Sequence, residues 1–444
     1  MTRRLVVIGG GAAGMSAASA ARRADPDLDV TVLEEGPYPS YGVCGIPYFL
    51  GGVVADAASL IAHPVEEYTV RRRIDLRLGV HVAQVDVKRR QVVTGDGDLA
   101  YDALILATGA APIVPDVPGV DHPRVVVVRR LEDAEALRAE LPRVRRAVVV
   151  GAGYVGLEVA EALVSRGVAV TVADRLPRVL ATVDPELAGD VADEVARHAD
   201  LALDAPLRAI TAAGDALRVC LGDATVETDL VVLALGVRPA TSLLAAAGAE
   251  LMAPGAVVVD DQQRASLPGV WAAGDCATAR HQVTGRPAYV PLGPVANKAG
   301  RVAGTVAAGG QAAAPTIAGT AVTKVFDLTV AHTGLTLAAA LDAGFDAVAT
   351  DLTSRSRAKY YPGSAPLRTR LVHTRDGRLL GGQLVGADGA AKRVDVLATA
   401  LYARLGVDDL AALDLAYAPP YAPVYDPVTQ VAQAAQRALV AAAR

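Results

Sequence analysis

Residues 5–14 read LVVIGGGAAG: a short apolar run, glycines at Gly9, Gly11 and Gly14 in the spacing G-x-G-x-x-G, then an alanine-rich stretch. The apolar run reads as a buried strand and the alanine stretch as a helix. In such a unit Gly9 permits the tight turn, Gly11 lets the backbone approach a pyrophosphate, and Gly14 lets the helix pack on the strand. The helix N-terminus then faces the phosphates. About twenty residues further on, DVTVLEE reads as a second strand ending at Glu34, a carboxylate suited to accept from ribose hydroxyls. A glycine triplet alone is weak evidence. Strand, helix and acid in register make this a dinucleotide-binding unit.

The device recurs. Residues 146–175, RAVVVGAGYVGLEVAEALVSRGVAVTVADR, carry a strand into Gly151, Gly153 and Gly156, a helix, and a strand ending at Asp174. Two complete fingerprints imply two dinucleotides, and the economical pair is a flavin with a nicotinamide donor. Asp174 favours NADH because a carboxylate repels a 2′-phosphate, whereas Arg175 and Arg178 directly after it leave NADPH open.

Two shorter pieces extend the pattern. YDALILATGA (101–110) reads as a strand ending in a Thr-Gly turn, and LPGVWAAGDCA (267–277) as a strand ending in Gly-Asp. Asp275 at a strand's C-terminal end sits where doubly wound sheets bind ligands; its alternative is a helix cap or turn residue. From Gly319 onward, TAVTKVFDLTVAHTG, DAVATDLTSRS and PLRTRLVHTRDGRLLGGQLVG alternate like antiparallel strands with a turn at Asp376-Gly377, followed by a helix. This last unit carries no nucleotide signature and reads as a packing or dimer-forming domain.

The chain has 444 residues, 52% hydrophobic and 20% charged, with a net charge of −5, which describes a globular protein of two or three domains. Its basic residues are scattered, against nucleic acid as a partner. No apolar run reaches membrane-spanning length, so no membrane partner and a cytoplasmic location are expected. Cys44, Cys220 and Cys276 are too widely spaced for a disulfide framework or a metal cluster, and no metal is expected. Aromatic residues make up only 4%, yet 13 of them are tyrosine.

Together these motifs resemble the FAD-dependent pyridine nucleotide-disulfide oxidoreductases over essentially the whole chain. The resemblance implies an α/β fold with two Rossmann-like three-layer dinucleotide-binding domains and a C-terminal α+β dimerisation domain. The FAD domain would comprise residues 1–112 and 250–318, the NAD(P) domain with its linker 113–249, and the dimerisation domain 319–444. It brings in Ser40, Thr108, Gly109, Gly274, Asp275 and Leu292 as FAD contacts. Tyr154 would lie over the flavin face where nicotinamide docks, with Glu158 nearby.

Many members pair two cysteines as C-x-x-x-x-C. In SYGVCGIPYFLGG (40–52) the partner position is Pro39, so Cys44 stands alone. Cys220 and Cys276 read as inert thiols. A single cysteine resembles the branch that holds coenzyme A-disulfide reductases, NADH oxidases, NADH peroxidases and persulfide reductases. The segments KYYPGSAPLR (359–368) and AYAPPYAP (416–423) are similar to those of the coenzyme A-disulfide reductases, and Ala12 replaces the histidine of peroxidases and many oxidases. Val43 departs from the usual Asn before the cysteine. The expected activity is reduction of coenzyme A disulfide or a related small disulfide or persulfide by NAD(P)H through Cys44.

A helix beginning at Cys44 is expected to favour its thiolate. Tyr361 and Tyr421 would donate protons across a homodimer with shared active sites, Tyr360 would bind substrate, and the alternative for these tyrosines is interface packing. Arg22 and Arg23 would contact phosphates, with Arg71, Arg72 and Arg73 as a second basic run; a solvated face is the alternative for both. Competing functions are an NADH oxidase or peroxidase cycling Cys44 through a sulfenic acid, and a flavin redox sensor without turnover.

Overall fold

Leu5, Val7, Leu104 and Ile105 are wholly buried because Arg4–Ile8 and Ala103–Leu106 are interior strands of a parallel sheet. The computed structural model that gives this arrangement describes residues 3–442. Across the sheet the order is Val270–Ala272, Ala103–Leu106, Arg4–Ile8, Asp29–Glu34, Asp75–Leu78, every pair parallel. The edge strand Val270–Ala272 thus returns from beyond the second nucleotide unit to complete the first.

Helices Ala12–Ala24 and Gly293–Ala307 cover one face of this sheet, and an antiparallel meander (Val82–Asp86, Gln91–Thr94, Leu99–Ala100) covers the other, giving three layers. The two helices touch backbone to backbone. A Cβ on Gly300 would stand 2.2 Å from Ala13 O, and one on Gly304 2.0 Å from Ala17 O. Only small residues allow such an approach, which is one reason this core is built from alanine rather than aromatics.

The second unit repeats the plan. Its parallel sheet runs Asp200–Ala202, Ala169–Ala173, Arg146–Val150, Leu230–Leu233, Val125–Val127. Helices Leu131–Glu140, Tyr154–Ser165 and Pro185–Val195 pack on one face, and the meander Leu207–Ala213, Ala216–Leu221, Ala224–Thr228 on the other.

The C-terminal unit is an antiparallel sheet ordered Ala321–Val325, Leu328–Gly334, Leu379–Gly386, Pro366–Thr374, Ala347–Arg355. The Asp376-Gly377 turn forms, with Gly377 at φ +88°. Arg370 of this sheet is 4% exposed and bonds Asp184 (3.1 Å), Glu186 (2.6 Å) and Asp351 (2.7 Å), while Gln383 Nε2 donates to Asp184 Oδ2 at 2.7 Å. An ionic cluster centred on the buried Arg370–Asp184 pair thereby fastens the second nucleotide unit to the C-terminal sheet. Among the described residues no helix is long and apolar enough to cross a membrane.

Candidate functional site

Each fingerprint glycine has a distinct reason to be glycine. Gly9 and Gly151 turn at φ +102° and +113°. A Cβ on Gly14 would fall 1.8 Å from Gly9 O, and one on Gly156 1.8 Å from Gly151 O, so helix and turn are in backbone contact. A Cβ on Gly11 or Gly153 would meet nothing within 4 Å. That open backbone leaves a cradle at the N-terminus of each helix with room for an anionic group such as a pyrophosphate.

The acids close both cradles alike. Gly10 N–H donates to Glu34 Oε2 and Gly36 N–H to Glu34 Oε1 at 2.8 Å. Ala152 N–H donates to Asp174 Oδ2 at 2.7 Å and Leu176 N–H to Oδ1 at 2.9 Å. Backbone donors therefore hold both carboxylates beside the glycine turns. Arg175 is exposed and Arg178 half-buried beyond Asp174.

Around the first cradle, Ser40 N–H donates to Gly10 O at 2.9 Å and Thr108 Oγ1 to Ala240 O at 2.6 Å, while Gly109 and Gly274 turn at φ +67° and +86°. Asp275 caps no helix; its Oδ2 accepts from Arg129 Nη2 at 3.2 Å. Leu292 precedes helix Gly293–Ala307, and its N–H donates to Val290 O at 2.9 Å. Tyr289 Oη is buried with no partner among the described residues, its phenol pushed up to about 12 by burial and by Asp275. An unpartnered buried hydroxyl in the field of Asp275 fits a polar ligand such as FAD.

Cys44 corrects one expectation. It lies in a 3-10 turn, Val43–Gly45, and the helix Ile46–Gly51 starts only after it, with Pro47 in its first turn. The thiol is solvent-accessible, yet surrounding protein and the Glu158 carboxylate raise its pKa, with Arg129 pulling the other way. The chain's own groups thus favour the thiol over the thiolate. Cys276 is fully buried, its thiol pushed up to about 11, and Cys220 sits in the strand Ala216–Leu221 of a meander.

Opposite stands the helix Tyr154–Ser165. Burial pushes the Tyr154 phenol up to about 12; its Oη accepts from Thr182 Oγ1 at 3.0 Å and bonds His332 Nε2. Glu158 Oε1 accepts from Thr323 Oγ1 at 3.0 Å, and burial raises its carboxyl above the ordinary range.

Arg22 is a second correction. Its guanidinium donates to the backbone carbonyls of Arg72 (3.1 Å), Pro26 (2.8 Å), Leu28 (2.6 Å) and Arg73 (2.7 Å), which leaves only one Nη2 N–H for a phosphate and rules out a bidentate grip. Arg72 bonds Glu67 and Ser19, and Arg71 bonds Glu67. Arg23 is exposed.

The two tyrosine segments, far apart in sequence, meet in space. Ala358 N–H donates to Pro419 O at 3.3 Å, and buried Arg393 bonds Asp426, Ser356 O and Tyr421 O. Tyr360, Tyr361 and Tyr421 project outward, 76%, 36% and 79% exposed in the single chain. Arg129, Tyr289, Thr323 and His332 escaped the reading of the sequence, since none stands in a motif.

The pyridine nucleotide-disulphide oxidoreductase family model matches residues 3–326, and that of the family's dimerisation domain matches residues 320–427. The NAD(P)H sulfur oxidoreductase (CoA-dependent) of Pyrococcus abyssi is 38% identical over 97% of this chain and 98% of that protein. Among solved structures, an NAD-dependent persulfide reductase from A. fulgidus is 37% identical with a TM-score of 0.94, over 99% of this chain and 84% of that one. The water-forming NADH oxidase from Lactobacillus brevis bound to NADH is 30% identical with a TM-score of 0.96, over 100% of both chains.

Proposed function

This chain belongs to the pyridine nucleotide-disulphide oxidoreductase family, and on that premise we propose that it reduces a small disulfide or persulfide, coenzyme A disulfide first among them, at the expense of NADH. The observation that carries the reading is the state of the three cysteines. Only Cys44 is exposed, and neither other thiol is placed to pair with it. Its second sulfur must come from the substrate. The CoA-dependent name of the Pyrococcus abyssi relative and the persulfide reductase of A. fulgidus support the substrate class.

The open backbone at Gly11, with Glu34, Asp275 and Tyr289, would hold FAD, and that at Gly153, with Asp174, would hold the nicotinamide dinucleotide. Bound there, FAD supplies the two-electron relay from NADH to Cys44 and an electron-poor ring that favours the thiolate. Tyr154 and Glu158 shape the nicotinamide side. On the other side the Cys44 thiolate attacks one sulfur of the substrate disulfide, the substrate S–S bond breaks, and a mixed disulfide forms on Cys44. The departing thiolate takes a proton from the phenol hydroxyl of Tyr361 or Tyr421 of the partner subunit. Two electrons and one proton then cleave the mixed disulfide, releasing the second half of the substrate as a thiol and returning Cys44 as the thiolate. Arg23 remains the candidate for a substrate phosphate, and the matched dimerisation domain supports the homodimer this scheme needs.

Mass spectrometry of the purified protein tests the reading. Cys44 carrying coenzyme A or another thiol supports it, and an added oxygen alone would favour the second reading, an oxidase or peroxidase. The full-length match to the Lactobacillus brevis oxidase supports that second reading, whereas Ala12, in place of a histidine near the flavin, weighs against it. NADH consumption with oxygen alone, faster than with coenzyme A disulfide, would overturn the disulfide assignment.

A further inference from the structure

Tyr154, Glu158 and Glu161 lie at i, i+4 and i+7 of one helix and so form a single stripe. Each finds its partner on one hairpin of the C-terminal sheet, Ala321–Val325 and Leu328–Gly334. Thr323 Oγ1 donates to Glu158, Phe326 N–H donates to Glu161 Oε2 at 2.8 Å, and Lys324 forms an ion pair with Glu161. Those contacts dock the helix on the hairpin. His332, from the hairpin's second strand, adds something different: its Nε2 bonds the Tyr154 hydroxyl, and its ring stacks on the phenol at 6.1 Å between centroids and 21° between planes.

We propose that His332 is the positioning residue for Tyr154, through which the C-terminal unit fixes the wall of the nicotinamide pocket in its own chain. The inference rests on the reading of Tyr154 as a residue that faces the nicotinamide. Thr182 Oγ1 donates to Tyr154 Oη, so the phenol proton is left for His332 Nε2. Burial holds the imidazole near pKa 4 and therefore neutral, with an Nε2 lone pair to accept and the proton on Nδ1. The phenol is thus tied at its tip from two elements, Thr182 in the second nucleotide unit and His332 in the C-terminal sheet. A side chain held in one rotamer spares the ligand the cost of ordering it.

The test uses the FAD-loaded dimer and four variants: Tyr154→Phe, His332→Ala, His332→Gln and the double Tyr154→Phe/His332→Ala. Two quantities are read: equilibrium affinity for NAD+, which involves no turnover, and the rate of flavin bleaching by NADH. The expected result is a loss of about five- to tenfold in one or both for His332→Ala, an equal loss for Tyr154→Phe, and no further loss in the double variant. His332→Gln, which keeps an acceptor, recovers most of the loss, and iodoacetamide labelling of Cys44 is unchanged throughout. Should His332→Ala fold poorly, nitrogen NMR of the His332 ring decides: wild type shows the Nδ1–H tautomer, and Tyr154→Phe changes the Nε2 signal. Additive losses, or an Nε2 signal indifferent to Tyr154→Phe, overturn the proposal. Tyr154→Ala separates the two levels. If it leaves NAD+ binding intact, the reading of Tyr154 falls; if it weakens binding while His332→Ala does not, only the role of His332 falls.

Discussion

Arg129 Nη2 donates to Asp275 Oδ2 at 3.2 Å, joining the linker after strand Val125–Val127 to the turn after strand Val270–Ala272. Both charges act on the Cys44 thiol, Arg129 in favour of the thiolate and Asp275 against it, while Glu158 opposes it more strongly than Asp275 does.

Opposite shifts follow for two variants. Glu158→Gln removes the carboxylate that acts most strongly on the thiolate, so the pKa of Cys44 falls and more of it is ionised at neutral pH. Arg129→Met removes the favourable cation, so the pKa rises. The pH midpoint of iodoacetamide alkylation, measured on the reduced protein, reads both. Shifts in the same direction would contradict this electrostatic account.

The fingerprint glycines divide by function. Gly14→Val drives side-chain atoms into Gly9 O and should destabilise the fold by at least about 3 kcal/mol, seen in thermal unfolding. Gly11→Ala meets no protein atom, so the fold survives and bound FAD drops about tenfold or more, because only the pyrophosphate collides. Gly153→Ala should keep FAD and lose about tenfold in NADH affinity. FAD content equal to wild type in Gly11→Ala would remove the cradle assignment.

What could be read from the sequence was what lies close together along it. Gly9 to Glu34 and Gly151 to Asp174 each form one strand-turn-helix-strand unit, and the alternation after Gly319 became the antiparallel sheet. Cys44 misled because Ile-Pro after Gly45 does start a helix, but two residues late, and the pKa depends on Glu158 from another unit. Arg22 misled because its four carbonyl partners are visible only once residues 72–73 fold back over the first helix. Arg129 with Asp275 and His332 with Tyr154 are separated by 146 and 178 residues. No local pattern marks such pairs; packing of whole units creates them.

The ionic cluster at Arg370 should behave as a joint. Removing the cation in Arg370→Met leaves Asp184, 3% exposed, facing Asp351 and Glu186 with only neutral donors, Gln383 and the Leu337 N–H, beside it. The expected cost is about 3–5 kcal/mol, read as a lower unfolding temperature, with part of it restored by Asp184→Asn in the same chain. A cost below about 1 kcal/mol would mean that solvent already screens the cluster.

The shared-site scheme makes a prediction that no single-chain mechanism shares. Cys44→Ser should lower disulfide reduction by roughly three orders of magnitude or more while NADH still bleaches the flavin. Tyr361→Phe/Tyr421→Phe should all but abolish disulfide reduction but leave Cys44 alkylation intact, because alkylation of the thiolate needs no proton donor. Unfolding and refolding the two inactive proteins together makes half of the dimers mixed. Each mixed dimer pairs an intact Cys44 with intact tyrosines at one site and has neither at the other, so activity returns to about a quarter of wild type. If mixing restores nothing although mixed dimers form, the tyrosines act within their own chain or only pack the interface. The link of Ala358 to Pro419 and the anchoring of both segments by Arg393 add a control: Arg393→Met, which frees the two segments from one another, should mimic the tyrosine variant in such mixtures and complement Cys44→Ser in the same way.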